Sequence, residues 1–113
     1  MVLLVSAVIR PSRLDAVKAA LGYAGVLSIT VTDAHGVGRQ AGKSATYRGV
    51  EYRIDLLPKV KVEVLVPSDD ARRVALVIAD AARTGHIGDG KIWITPVENV
   101  IRIRTGEMDA DAV

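Results

Sequence analysis

The chain has 113 residues, half of them apolar, and no cysteine, which suits one compact domain and excludes a disulfide scaffold and thiolate metal sites. Fifteen Lys and Arg against thirteen Asp and Glu give a net charge of +2, too balanced to favour nucleic-acid binding by bulk charge. The aromatic residues are too few for the stacking surface of an RNA-binding sheet: Tyr23, Tyr47, Tyr52 and Trp93.

The start of the sequence contains no recognisable targeting segment. Met1 is followed directly by the apolar run Val2–Val5, without a basic region or a small-residue cleavage site. No apolar run approaches the length that crosses a bilayer. Together with the absence of cysteine, these features predict a cytoplasmic protein.

The first third of the chain predicts a strand, a helix and a second strand. Val2–Ile9 is rich in β-branched residues and is typical of a buried strand. Ser12 stands at the expected N-cap of a helix, and Asp15 completes a capping-box pattern. The helical spacing ends before Gly25, and Ser28–Ala34 then alternates apolar residues with threonines, as a half-buried strand does.

The second half of the chain repeats this order. Val60–Val66 has a valine at every second position, the clearest strand signal in the sequence. Acidic residues within Pro67–Asp70 suit the start of a second helix, which ends near Gly85. Lys91–Thr95 and Val100–Ile103 are predicted as two further short strands.

The resulting order, β-α-β, a long loop, then β-α-β and a terminal strand, predicts a ferredoxin-like α+β fold in a single domain over residues 1–113. Two helices cover only one face of such a sheet. We expect the other face to carry the apolar alternation of Val60–Val66 and to require a partner, which favours a homo-oligomer.

Residues 37–57 have no convincing periodicity, and a connection of this length inside a compact domain usually has a function. The segment contains three glycines, four basic residues and two tyrosines. An alternative is a hairpin in which 45–47 pairs with 52–56, and such a hairpin would also project outward.

Two clusters are suited to phosphate. Gly88-Asp89-Gly90-Lys91 would offer backbone N–H groups and a point charge, although a tight turn between elements is the simpler interpretation. On a strand, Arg102 and Arg104 would share one face and suit a polyphosphate, while Ile101 and Ile103 would enter the core. The alternative is a solvated polar face. The occurrence of both clusters within seventeen residues favours phosphate binding.

Signals for catalysis are weak. Gly42-Lys43-Ser44 resembles the end of a P-loop, but Val37 stands where its first glycine should be and no apolar helix follows. His35 and His86 have no partner at metal or base spacing. For a small ATP hydrolase the sequence offers candidate phosphate-binding residues but no evident general base. We therefore expect that the protein is not an enzyme, with weak ATP hydrolysis at most.

Several long motifs in the right order resemble the PII nitrogen regulatory proteins, over nearly the whole chain. They are Gly36-Val37-Gly38-Arg39-Gln40, Tyr47-Arg48-Gly49-Val50-Glu51-Tyr52, Leu57-Pro58-Lys59-Val60, Ala82-Arg83-Thr84-Gly85, Ile87-Gly88-Asp89-Gly90-Lys91-Ile92-Trp93 and Ile101-Arg102-Ile103-Arg104-Thr105-Gly106-Glu107.

The resemblance implies a homotrimer with nucleotide sites in the clefts between subunits, where ATP and ADP compete and 2-oxoglutarate joins MgATP. Tyr52 matches the tyrosine that relatives uridylylate or adenylylate, near the tip of the exposed T-loop at about 37–57. The turn at about 83–90 and the C-terminal segment at about 102–113 would border the cleft, and Glu63 would orient Lys91. The nucleotide-binding residues implied are Thr30, Gly36, Val37, Gly38, Arg39, Gln40, Glu63, Val64, Thr84, Gly88, Asp89, Gly90, Lys91, Arg102 and Arg104. Those implied for 2-oxoglutarate are Gln40, Ala41, Gly42 and Lys59, with Mg²⁺ on Gln40.

Family partners include ammonium transporters, which would recruit the protein to the membrane, and nitrogen-assimilation enzymes. The chain departs from the usual pattern in the loop, since Ala41 replaces Lys and Lys43-Ser44-Ala45 replaces His-Thr-Glu. The alternative is therefore a divergent homologue that senses adenylate state (ATP, ADP or AMP) with a different effector or target and without tyrosine modification.

Overall fold

The computed structural model describes residues 1–37, 44–47, 50–53 and 56–113. Short 3-10 turns precede both helices, at Pro11–Arg13 and Ser68–Asp70, and a third, Asp109–Ala112, closes the chain. The strands and helices in chain order are β1 (Val2–Ile9), α1 (Leu14–Tyr23), β2 (Thr30–Gly36), β3 (Ser44–Tyr47), β4 (Val50–Arg53), β5 (Leu57–Pro67), α2 (Ala71–Ala82) and β6 (Lys91–Val97).

Four of the strands form one antiparallel sheet in the order β2-β5-β1-β6, with β2 and β6 at its edges. In the centre of the sheet, Val5 faces Val64 on one side and Ile94 on the other. Together with the two helices, this arrangement is the ferredoxin-like α+β fold that the element order predicts.

The core lies between the sheet and the helices. The valines of β5, from Val60 to Val66, are buried against Val17 and Leu21 of α1 and against Val74 and Ile78 of α2. The expectation that these valines occupy the open face is therefore wrong. A period of two shows that alternate residues share a face, but it does not say which face the helices cover.

The open face of the sheet carries the residues between those valines. Leu65 and Trp93 are each 41% exposed there, and Nζ of Lys61 lies 6.0 Å from the centroid of the Trp93 ring. Lys61 also makes an ion pair with Glu63, at 3.8 Å. A mixed surface of this kind, with large apolar side chains among charges, resembles a protein interface more than a solvated sheet face.

The first helix begins differently from its predicted capping box. Ser12 lies within the 3-10 turn Pro11–Arg13, and the N-cap of α1 is Arg13, whose side chain makes no capping hydrogen bond. The reason is Pro11, because its fixed φ and missing N–H suit the first position of a helical turn and move the start forward.

The end of the first helix follows the prediction. Gly25 has a φ of +86°, its N–H donates to Gly22 O at 3.1 Å, and Val26 N–H donates to Leu21 O at 2.9 Å. This pair of hydrogen bonds is a Schellman motif, which requires a left-handed residue and so favours glycine. The turn directs the chain from α1 back toward β2.

The described residues of the long connection include a hairpin. β2 and β5 stay paired as far as Gly36 opposite Leu57, and β3 pairs with β4 in a register that sets Ala45 opposite Tyr52. The alternative hairpin is thus present, with β4 beginning at Val50. Residues 38–43, 48–49 and 54–55 lie outside the described residues.

The predicted strand Val100–Ile103 is wrong. The segment makes only an isolated bridge between Ile101 and Met108, and the side chains of Ile101 and Ile103 are 61% and 98% exposed instead of entering the core. The chain leaves β6 at Val97, and the segment makes its backbone hydrogen bonds locally, from Arg102 N–H to Glu107 O and from Asp109 N–H to Val100 O, instead of joining an edge of the sheet.

Candidate functional site

The turn between α2 and β6, residues 83–90, crosses tightly over the end of β1. At Gly90, with a φ of +100°, a Cβ atom would lie 1.7 Å from the carbonyl oxygen of Val8. No side chain fits at that position, so the glycine brings the turn into contact with the β1 backbone. The predicted Gly88–Lys91 motif is therefore a tight turn in structural terms.

A single carboxylate closes this turn. Asp89 Oδ2 accepts hydrogen bonds from the N–H groups of Thr84, at 2.8 Å, and Gly85, at 2.9 Å. The Thr84 hydroxyl also donates to Asp89 Oδ1. Asp89, near the end of the turn, is thus hydrogen-bonded to Thr84 and Gly85 near its start. The Thr84 side chain is therefore engaged within the turn.

Arg10, the residue that follows β1, joins the same network. Its Nε donates to Asp89 Oδ1 at 2.9 Å, and its Nη2 donates to the carbonyl oxygen of Ile87 at 2.6 Å. The hydrogen bonds from Thr84, followed by that from Arg10, hold the pKa of the Asp89 carboxyl well below its usual range. Asp89 is therefore ionised throughout the physiological pH range.

Lys59, near the start of β5, holds the turn from the other side. Its Nζ donates to Gly88 O at 2.6 Å, and the residue is only 9% exposed. Gly36 makes room for the lysine stem, because a Cβ there would lie 3.3 Å from Lys59 Cγ. The residue predicted for 2-oxoglutarate therefore also contacts the turn predicted for phosphate.

These contacts fix the direction of two peptide planes. In a trans peptide the C=O and the following N–H point in opposite directions. Because Ile87 O faces Arg10, the N–H of Gly88 is directed away from Arg10. Because Gly88 O faces Lys59, the N–H of Asp89 is directed away from Lys59. Two cations thus turn carbonyls inward and amides outward, an arrangement suited to an anion.

The C-terminal segment folds into a second compact turn. Gly106 N–H donates to Arg102 O at 2.8 Å, and Arg102 N–H donates to Glu107 O at 2.9 Å. The Arg102 side chain pairs with Glu107 at 3.0 Å. Arg104 lies within the turn, so the predicted placement of both arginines on one strand face is wrong.

The predicted nucleotide residues fall into two separate groups within one subunit. Thr30, Glu63 and Arg102 line an open groove of about 960 Å³ between the β2 end of the sheet and the C-terminal segment. Asp89 and Lys91 line a different pocket of about 180 Å³ beside the end of α2. The two share no lining residue. Lys91 and Thr30 begin opposite edge strands, about 14 Å apart across three strand spacings.

The remaining predicted residues have varied positions. Val64 is buried in the core, so its side chain is unavailable to a ligand and any contact would use its backbone. Gly36 ends β2, and Val37 follows it with an exposed side chain. Tyr52 lies on β4. Within one subunit Glu63 pairs with Lys61, at 3.8 Å. The predicted residues Gly38, Arg39, Gln40, Ala41 and Gly42 lie outside the described residues.

Sequence reasoning missed Arg10 and Glu107 as parts of these turns. Arg10 stands next to Pro11, which restricts it to the extended backbone that aims its side chain along the end of the sheet. That local signal identifies a bend, but not a partner 79 residues away. Glu107 ends the motif Ile101–Glu107, which resembles the PII family, but only the turn geometry shows that it faces Arg102.

Within the described residues, no group of three or more His, Cys, Asp or Glu side chains is placed to hold a metal ion. The predicted Mg²⁺ ligand, Gln40, lies outside them. Among the helices of the described part of the chain, none combines the length and apolarity needed to cross a membrane.

The two helices, the four-stranded sheet and the hairpin between β2 and β5 define a ferredoxin-like α+β domain. The family model for nitrogen regulatory protein P-II matches residues 2–107. The chain belongs to this family.

Curated relatives agree over almost their full length. The chain is 53% identical to a nitrogen regulatory protein P-II of Azospirillum brasilense and 54% identical to one of Rhizobium meliloti. It is also 50% identical to one of Synechocystis. In each case the match covers 96% of this chain and 97% of the relative.

Proposed function

We propose that this protein is a PII-type signal transducer that binds ATP and ADP competitively in clefts between the subunits of a homotrimer. 2-Oxoglutarate and Mg²⁺ join ATP in the cleft, and the T-loop, residues 37–57, conveys the state of the cleft to nitrogen-metabolism targets. Such targets are an ammonium transporter, which would recruit the protein from the cytoplasm to the membrane, or nitrogen-assimilation enzymes. The protein acts by binding, with weak ATP hydrolysis at most.

The division of the predicted site into two groups carries this proposal. One subunit offers the turn with Lys91 in one place and the groove with Arg102 in another. A polyphosphate that uses both cations needs the turn of one subunit beside the groove of the next. A cleft assembled in this way binds nucleotide only in the oligomer.

The open face of the sheet supports an oligomer independently. Leu65 and Trp93 leave apolar surface uncovered opposite the helix layer. A symmetric assembly that buries this face would remove that surface from water. Each Å² of apolar surface buried would stabilise the assembly by about 25 cal/mol. Closed rotational symmetry would also repeat the cleft identically at every interface.

The position of Lys59 supports a link between an acidic effector and the 83–90 turn. Its ammonium group, held at Gly88 O, lies at the root of the T-loop, since it faces Ala34 on β2 close to Gly36. A carboxylate bound there would compete for Lys59. The arrangement that the T-loop adopts would then depend on which ligand fills the cleft, which is a population shift.

Titration calorimetry tests the proposal with ATP, ADP and AMP, each with and without Mg²⁺ and 2-oxoglutarate. We expect ATP and ADP to displace each other and 2-oxoglutarate to bind only with MgATP present. If adenine nucleotides bind but 2-oxoglutarate does not, the protein is the alternative, a divergent adenylate sensor with another effector. Absence of any nucleotide binding would refute both.

A further inference from the structure

We propose that Arg10 is a positioning residue for the nucleotide site, holding the backbone amide of Gly88 toward phosphate without touching the ligand itself. The inference rests on the proposed function. It concerns a residue at the end of β1, outside every motif that carries the family resemblance.

The contacts of Arg10 are the first argument. One guanidinium bridges the Asp89 carboxylate, at 2.9 Å, and the carbonyl oxygen of Ile87, at 2.6 Å. The two contacts lie two residues apart in the turn, so the planar fork fixes their separation as well as their direction. A lysine, with a single compact charge, cannot hold both at once in the same geometry.

The consequence for the ligand is the second argument. Were Arg10 absent, Ile87 O would lose its partner, and the peptide between Ile87 and Gly88 could rotate to seek another donor. Its carbonyl oxygen would then take the place of the Gly88 N–H on the anion side. On the outward, anion-facing side a donor would be replaced by an acceptor, which repels phosphate instead of binding it.

The charge of Arg10 is already neutralised by Asp89, and its guanidinium is committed to two partners. It is therefore unsuited to a direct phosphate contact and acts through the turn. Lys59 secures Gly88 O separately, so the turn retains one of its two external anchors in an Arg10 variant. A partial loss of affinity is expected, with the fold intact.

The test is calorimetry on the full-length oligomer with Arg10→Met and Arg10→Lys, using ATP, ADP and adenosine as ligands. We expect Arg10→Met to weaken ATP binding by about tenfold, the value of one charge-assisted hydrogen bond. Adenosine binding should stay within about twofold, because its contacts are not with the turn amides. Arg10→Lys should recover only part of the loss.

Arg13→Met is the matched control. Arg13 also donates through Nε and Nη2 to a backbone carbonyl, that of Ala81, at 2.9 and 2.6 Å, but it does not contact the 83–90 turn. It should change unfolding stability without changing the ratio of ATP to adenosine affinity. Hydrogen exchange of 84–91 should rise in Arg10→Met and not in Arg13→Met.

The outcomes are distinguishable. If the wild-type protein binds ATP and Arg10→Met binds it equally well, or loses ATP and adenosine affinity in the same proportion, the inference about Arg10 is wrong and the proposed function stands. If the wild-type protein binds no nucleotide, both are overturned.

Discussion

Arg102 donates from Nη1 to Glu107 Oε1 across 3.0 Å, so a guanidinium that we assign to phosphate already has an acidic partner in its own subunit. Both side chains are partly exposed, at 39% and 45%. An ion pair this exposed contributes little to stability and is easily exchanged for another anion. In the proposed site the carboxylate would therefore compete with a nucleotide for the same cation.

We expect Glu107→Gln to strengthen ATP binding by about threefold and ADP binding by less, because removing a negative charge beside a polyphosphate helps the more highly charged ligand most. Calorimetry at two salt concentrations would measure the gain, which should shrink at high salt. Asp80→Asn, which removes a similar exposed pair with Arg83 at 3.3 Å, is the control. Weaker ATP binding by Glu107→Gln would mean that Glu107 orients Arg102 instead.

Gly90→Ala should destabilise the fold by at least about 2 kcal/mol, because the new Cβ would combine a left-handed φ with overlap on backbone that cannot move easily. The atom it would meet is Val8 O, at 1.7 Å. Urea unfolding measures the effect. Gly22→Ala is the matched control, since a Cβ there meets nothing within 4 Å. In helix α1 it should stabilise by up to about 1 kcal/mol. Equal stability of the two variants would contradict the geometry of the turn.

The open face predicts a separation between folding and assembly. Leu65→Lys should leave the subunit folded and weaken assembly of the proposed homotrimer by about tenfold or more, because it would bury a charge at the interface. Leu76→Lys, at an exposed leucine on the outer helix α2, should have no effect on assembly. Sedimentation velocity across a concentration series distinguishes them. An unchanged oligomer for Leu65→Lys would place the interface elsewhere.

The low pKa of Asp89 makes one contribution to stability pH-dependent. Folding favours the carboxylate form, so this contribution is complete above the pKa of an unfolded aspartate, about 3.9, and is lost as the pH falls from there toward the lower value in the folded protein. Unfolding of wild type and Asp89→Asn should differ by a constant amount from pH 5 to 8. The difference should shrink below about pH 4. A difference that grows on acidification would contradict the assignment.

The sequence predicted the fold well where the hydrophobic periodicity agrees with the residues that begin or end an element. The valine alternation of β5 and the stop at Gly25 both follow from local rules, and both were confirmed. The errors lie where a local pattern has two possible environments. The valines could face either side of the sheet, and Val100–Ile103 had the residues of a strand but pairs locally with the residues that follow it.

The candidate site could be predicted by residue type but not by arrangement. Glycines and cations suited to phosphate are visible in the sequence, and so is their order. The bond from Arg10 to Asp89 joins residues 79 apart, and no local pattern encodes it. The division of Lys91 and Arg102 between two pockets is likewise a property of the fold, since Lys91 begins β6 whereas Val97, at the other end of β6, lines the groove with Arg102.

The large sequence separation between the residues that hold the 83–90 turn determines when the turn can form during folding. The turn is held by the end of β1, the start of β5 and its own carboxylate, so it cannot form until contacts across most of the chain have closed. In a partly folded chain the 83–90 turn is therefore not formed and could not bind phosphate. A ligand that binds the turn binds only the native state, and it raises the free energy of unfolding in proportion to the logarithm of its concentration. In a cell, the supply of such a ligand would govern how long the protein lasts as well as what it signals.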